Sequence, residues 1–196
     1  MPREITGFSN PLVKQVRGLR DKKNRRAEGL FLAEGLRILT EALDAGIPPK
    51  MLWHAPEGGA HPLVQKLARE TEATGGEVFV TSTDILSKLS GKDNPGAVIG
   101  VYPEMLTPLT ALDRATSGIW LVAERLRDPG NLGTILRTGD AVGAGGLILI
   151  DDCTDPFSVE AVRASMGAIF TQKVATARWP EFVSWLRSAP GQLVGT

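Results

Sequence analysis

Apolar positions along the chain fall into two alternating series of short runs and helically spaced stripes. After Asn10-Pro11, the residues Leu12, Val13, Val16 and Leu19 share one side of a helical pattern whose other side is basic. Phe31-Leu32-Ala33 predicts a strand, and Leu36, Ile38, Leu39, Ala42 and Leu43 predict a helix that stops at Gly46 before Pro48-Pro49. Further strands are predicted at Met51-Leu52-Trp53, Glu77 to Val80 and Ala97 to Val101. Helices are predicted around Leu63, Val64 and Leu67 and after Ser82-Thr83-Asp84, a helix-start signature. Such alternation predicts a compact α/β layer domain.

From Pro103 to Gly118 the period is lost, and the stretch reads as a linker. A second series follows. Ile119 to Ala123 reads as a buried-type strand, and a helix is expected from about Asn131. Leu147 to Ile150 is the next strand, a helix starts near Ser158, a strand lies near Lys173–Ala175, and a helix runs from Pro180 to Ser188. The apolar run Gln192-Leu193-Val194-Gly195 reads as a last strand. The expected organisation is a first domain over 1–104, a linker over 105–117 and a second domain over 118–196.

Composition adds a charge asymmetry. Lys+Arg and Asp+Glu are both 22, so net charge points to no partner. Residues 1–40, however, hold nine Lys/Arg (Arg3, Lys14, Arg17, Arg20, Lys22, Lys23, Arg25, Arg26, Arg37) against four acids (Glu4, Asp21, Glu28, Glu34). That excess suggests that the N-terminal part meets an anion. The run Arg17, Arg20, Lys22, Lys23, Arg25 and Arg26 is interrupted by one acid, Asp21, and could engage several phosphates. A solvated helix face is the plainer account of the same run. Cys153 stands alone, which excludes an internal disulfide and fits a reducing compartment. The N-terminus has no apolar signal core, and Ala141 to Ile150 is too short to span a bilayer, so a soluble cytoplasmic protein without membrane contact is expected. His54 and His61 have no further ligand at metal-site spacing, so no metal is expected.

The segment from Arg127 to Gly143 carries the candidate chemistry. It follows a predicted strand, turns at Pro129-Gly130 and enters a helix that Asn131 could cap. Gly130 and Gly133 allow a ligand or another backbone to come close, and a helix N-terminus favours phosphate. Spacing alone fits equally a plain βαβ unit, with Arg137 as a surface charge and Asn131 as a cap. Neither the dinucleotide fingerprint nor the phosphate loop occurs in the chain, which disfavours a nucleotide-binding regulator. Arg163-Ala164-Ser165-Met166-Gly167 lacks the first glycine of a nucleophile elbow, so Ser165 reads as a packing residue.

Asn131, Gly133 and Arg137, at these spacings, resemble the first conserved motif of the SpoU/TrmH methyltransferases of the SPOUT superfamily. Gly139 stands where the family usually has alanine. Asp155-Pro156-Phe157-Ser158 followed by Ala161 to Ala168 looks like the family's next segment, with Val159 replacing the usual proline. Pro11 to Arg26 and Phe31 to Arg37 resemble the substrate-binding domain that precedes the catalytic domain in many ribosomal-RNA members. The resemblance implies an N-terminal α/β/α substrate-binding domain followed by a SPOUT-type α/β methyltransferase domain. It implies S-adenosylmethionine-dependent 2′-O-methylation of a ribose, in ribosomal RNA rather than transfer RNA, by a homodimer.

In the family, the residue matching Arg137 activates the 2′-hydroxyl, and Asn131 would serve the same pocket. A guanidinium is a poor base at neutral pH, so Arg137 is expected to grip a neighbouring phosphate and orient the hydroxyl. Arg163 is expected to contact RNA or a second subunit. The family's donor-binding knot lies beyond the position of Thr196. A methyltransferase domain lacking that knot is therefore expected here, and a non-catalytic RNA-binding protein is the alternative.

Overall fold

In a computed structural model, residues 2–195 are described. The first unit runs β1 (Arg3–Ile5), α1 (Pro11–Gly18), α2 (Lys22–Glu28), β2 (Leu30–Glu34), α3 (Leu36–Asp44), β3 (Met51–His54), α4 (Pro62–Ala73), β4 (Glu77–Thr81), α5 (Thr83–Ser90) and β5 (Val98–Pro103). The second runs β6 (Leu121–Glu124), α6 (Pro129–Ala141), β7 (Leu147–Ile150), α7 (Val159–Ser165), β8 (Val174–Ala177) and α8 (Trp179–Arg187). The mixed α/β class read from the alternating pattern is the one observed.

The basic segment forms two helices rather than one. Asn10 caps α1 through Leu12 N, and Pro11 fills the first helical position, where its missing N–H costs nothing. The chain breaks at Leu19 to Asp21, Asp21 caps α2 through Lys23 N, and Gly29 ends α2 in the left-handed conformation at φ +62°. The first sheet has the order β1-β4-β3-β5-β2, with β5 antiparallel to both neighbours and the other pairs parallel. Strand β1, too short and polar to show in the apolar pattern, adds the parallel edge.

One face of this sheet is covered by α1 and α5, whose Val13, Val16, Leu19, Ile85, Leu86 and Leu89 pack on Leu32, Trp53, Phe79 and Ile99. The opposite face belongs to a core that does not stop at the unit boundary. Phe31, Ala33, Leu52 and Tyr102 share it with Leu132, Leu136, Leu147, Phe157, Val162 and Phe170 of the second unit. The Phe31 ring stands 4.9 Å from Phe157 and 5.8 Å from Phe170, and Tyr102 stands 4.7 Å from Phe170. Aromatic pairs at these separations add attraction beyond the area they bury.

The second sheet is parallel in the order β6-β7-β8. The stretch read as a linker is fastened to its far edge: Thr107 N donates to Val174 O at 2.8 Å, and Leu109 and Leu112 pack on Phe182 and Trp185. The Trp185 indole donates to the Leu112 carbonyl at 2.8 Å. The strand expected at Gln192 to Gly195 is not formed; these residues are irregular and exposed. A strand needs a ladder partner, and β6 keeps a free edge among the described residues.

Helices α6 and α7 meet through Gly133. A side chain there would sit 2.6 Å from the Ala164 carbonyl carbon and the Ser165 nitrogen, both backbone atoms that cannot swing away. Gly133→Ala should therefore lower stability by about 1–3 kcal/mol. The urea midpoint is expected to fall at unchanged slope.

Candidate functional site

Helix α6 begins two residues earlier than its sequence suggests. Asp128 is the cap, accepting from Asn131 N at 2.6 Å, and Pro129 takes the first turn. Asn131 therefore lies inside the helix with its side chain exposed, rather than capping it. Leu132, Gly133, Leu136 and Gly139 face the core, while Asn131, Thr134, Arg137 and Thr138 face solvent. The Thr134 and Thr138 hydroxyls donate to the carbonyls one turn back. Arg137 makes no ion pair or side-chain hydrogen bond among the described residues. It stands roughly 9 Å along the axis from Asn131. Val142, the C-cap of α6, is an apolar side chain 53% exposed, about 140° round the helix from Arg137.

The basic run of the first unit is divided by the fold. Arg25 is buried: its guanidinium donates to the Leu19 and Arg20 carbonyls at 2.9 and 2.8 Å and pairs with Asp155 at 2.7 Å. The second oxygen of Asp155 accepts from Phe157 N. Arg25 thus faces the second unit and not solvent. Arg17, Arg20, Lys22, Lys23 and Arg26 are exposed. Arg163, on α7, reaches back to Glu34 at 3.5 Å, and Glu34 also accepts from Lys92 Nζ and Gly96 N. Of the positively charged candidates, two therefore join the units and the others remain on the surface.

Lys22 and Arg26 overlook a cleft of about 550 Å³ between the units, at the carboxyl ends of β7 and β8. This is the end of a parallel sheet at which ligands generally bind. Arg127 and Arg178 also line it, facing Glu104, Asp151, Asp152, Asp155 and Glu181. Asp151, at φ +57°, and Arg125, at φ +51°, both follow strands in a left-handed conformation uncommon for these residue types. Arg178 offsets part of the acidity, with its guanidinium 3.7 Å from Asp152. Burial pushes the Glu104 carboxyl above its ordinary range, Asp155 adds to the rise, and Arg25 and Arg26 oppose it.

Other candidate side chains serve local structure. Ser165 is buried and donates to Val162 O at 2.7 Å, as its packing role requires. His54 is buried against the Ala55 carbonyl, and His61 caps α4. Cys153 is half-buried beside the Ala123 and Ile150 carbonyls. Sequence reasoning missed Asp128, although Asp-Pro ahead of an apolar stripe is a helix-start signature. Arg127 opens the segment singled out in the sequence but was given no role there, and Arg178 carried no signal.

Comparison with known proteins places both units. Residues 10–100 match the MRM3-like substrate binding domain, and residues 118–196 match the SpoU rRNA Methylase family. The chain is 38% identical over 168 residues to a Synechocystis protein described as an uncharacterized tRNA/rRNA methyltransferase, covering 84% of this chain and 58% of that one. It is 28% identical to the 23S rRNA (guanosine(2553)-2′-O)-methyltransferase RlmP of Bacillus subtilis over 99% of this chain and 73% of the relative. The chain thus spans little more than half the length of the Synechocystis protein. Among solved structures, the AdoMet-bound rRNA methyltransferase of Sinorhizobium meliloti superimposes with a TM-score of 0.87 at 40% identity, over 95% of this chain and 69% of that one.

The upward shift at Glu104 has a consequence for stability. The folded state holds this proton more tightly than the unfolded chain does, so the contribution is fully present below the ordinary value of 4.5 and is lost as pH rises through the folded value. Glu104→Gln should raise stability at pH 7, and the gain should shrink as pH falls through the raised folded value and be gone below the ordinary 4.5. Urea titrations between these limits check the direction.

Proposed function

We propose, from the premise that this chain belongs to the SpoU rRNA methylase family, that it recognises ribosomal RNA and presents a ribose 2′-hydroxyl for methylation by S-adenosylmethionine. The observation that carries this reading is the solvent side of α6, where Arg137 stands exposed and unpaired among the described residues, with the exposed Asn131 six residues earlier. In the donor chemistry, a sulfonium supplies the methyl group to an oxygen that must be held in line. The residues of this chain do the holding. A guanidinium is a poor base, so Arg137 is assigned no part in taking the hydroxyl proton. It grips the phosphate next to the target ribose and orients the 2′-oxygen, and the proton leaves to phosphate or solvent. Asn131, one and a half turns earlier, offers an amide to the same nucleotide.

RNA is engaged by the exposed cations Arg17, Arg20, Lys22, Lys23 and Arg26. Arg25, buried, and Arg163, exposed, support that surface by holding the first unit to the second. No helix among the described residues is long and apolar enough to cross a membrane, and the proposed place of work is the cytoplasm. A homodimer completes the proposal, and the exposed Val142 at the end of α6 offers it an apolar contact.

The described residues do not by themselves form a closed seat for the donor. An adenine ring needs an apolar slot, whereas the cleft between the units is lined mainly by charged and polar side chains. The buried side-chain atoms without partners, Arg25 Nε, Trp53 Nε1, Tyr102 Oη and Gln172 Oε1, lie on residues that do not line it.

The test is transfer of a labelled methyl group from S-adenosylmethionine to ribosomal RNA, with the product digested and read as 2′-O-methylnucleoside. Arg137→Lys keeps the charge but loses the planar two-point grip, and turnover should drop about a hundredfold with little change in RNA affinity. RNA binding without any transfer would favour a non-catalytic RNA-binding protein. Near-normal turnover of Arg137→Lys would remove Arg137 from the chemistry.

A further inference from the structure

A second cleft, of about 730 Å³, lies on the other side of α2, between the end of α1 and the end of α5. Arg17 and Arg20 meet Lys88 and Lys92 across it, with Asp21 and Asp93 as the acids. Asp21 is already engaged in capping α2. Lys92 is held by Glu34 at 3.1 Å, whereas Arg17 and Lys88 are exposed and make no ion pair among the described residues.

Arg20 is set in place from two sides. Its carbonyl accepts from the buried Arg25 at 2.8 Å, and its guanidinium lies against Gly91, where any Cβ would collide with it. Gly91 adopts φ +72° as the C-cap of α5, so the guanidinium sits where the last carbonyls of that helix favour a cation. The cleft is therefore a row of cations with one member positioned in advance. Nothing in the α6 chemistry uses it.

We propose that this cleft is a second anchoring point for the RNA backbone. One strand runs from the α1–α5 cleft over α2 to Lys22 and Arg26, on the rim of the cleft between the units. Lys88 and Lys92, two cations with no basic run around them, are then phosphate contacts as much as the clustered arginines are. The spacing suits a polyanion: cations flank α2 on both sides, and the buried Arg25 fixes α2 between them. The sequence-independent character of phosphate contacts fits a role in holding and registering the substrate, with selection left to the face of α6. This inference rests on the RNA-binding reading above.

Fluorescence anisotropy of this chain with a labelled mixed-sequence RNA hairpin, across a salt series, tests it. Lys88→Glu should weaken binding about tenfold at low salt and lower the salt slope by about one, while Lys88→Arg keeps both. Gly91→Ala, which displaces the Arg20 guanidinium, should weaken binding with Lys88 intact. If Lys88→Glu and Gly91→Ala leave affinity and slope unchanged while Arg26→Glu weakens binding, RNA stops at the cleft between the units and the proposal is overturned. If Arg26→Glu is also silent, the RNA-binding reading itself fails. Labelled poly-glutamate binding as tightly as the hairpin, with equal loss in Lys88→Glu, would assign the cleft to an acidic polypeptide instead.

Discussion

The arrangement of this molecule depends on how Arg25 is buried. Its guanidinium satisfies two carbonyls in the turn between α1 and α2 and the carboxylate of Asp155, which lies 130 residues further along the chain. A charge with its side chain only 3% exposed is tolerated because three acceptors replace water. Beside it, Phe157 enters the aromatic group of Phe31, Tyr102 and Phe170. The polar contact sets the geometry and the apolar contact supplies most of the attraction. Together they make one core out of two sheets, so the units are positioned as a single body.

That constraint decides which cations reach solvent. With Arg25 drawn inward, α2 presents Lys22 and Arg26 to one cleft, while the turn before it presents Arg17 and Arg20 to another. The acids follow a different rule. Asp21 and Asp128 cap helices, Glu34 gathers Lys92 and Arg163, and Asp155 holds Arg25. A chain with no net charge thereby shows a basic strip where nucleic acid would lie, because many of its carboxylates are engaged in its own architecture.

The solvent face of α6 is the other product of packing. Two glycines, Gly133 and Gly139, let α6 approach α7 and Leu121 closely, and this fixes the rotation of the helix. Once the rotation is fixed, Asn131 and Arg137 must point outward. The face proposed for function is therefore specified by residues that are not on it. Left-handed residues after β6 and β7 set the paths of the loops leading to α6 and α7, at the sheet end where a parallel fold opens.

The sequence by itself determined the alternation of strands and helices, the family pattern around Asn131, Gly133 and Arg137, and the packing role of Ser165. All of these rest on local periodicity or on spacing within one element. It was wrong about the cap of α6, where Asp128 rather than Asn131 closes the helix, and about a strand at Gln192 to Gly195. A strand is a pairing, and an apolar run does not say whether a partner edge is engaged. Only the tertiary structure separated Arg25 from its neighbours in the basic run, since in the sequence it is one charge among six. Its burial depends on an acid 130 residues away. The same holds for Lys88 and Lys92, which become part of a cationic surface only when α5 packs against α1. Periodicity tells which side of a helix is buried; which charge meets which is a property of the assembled fold.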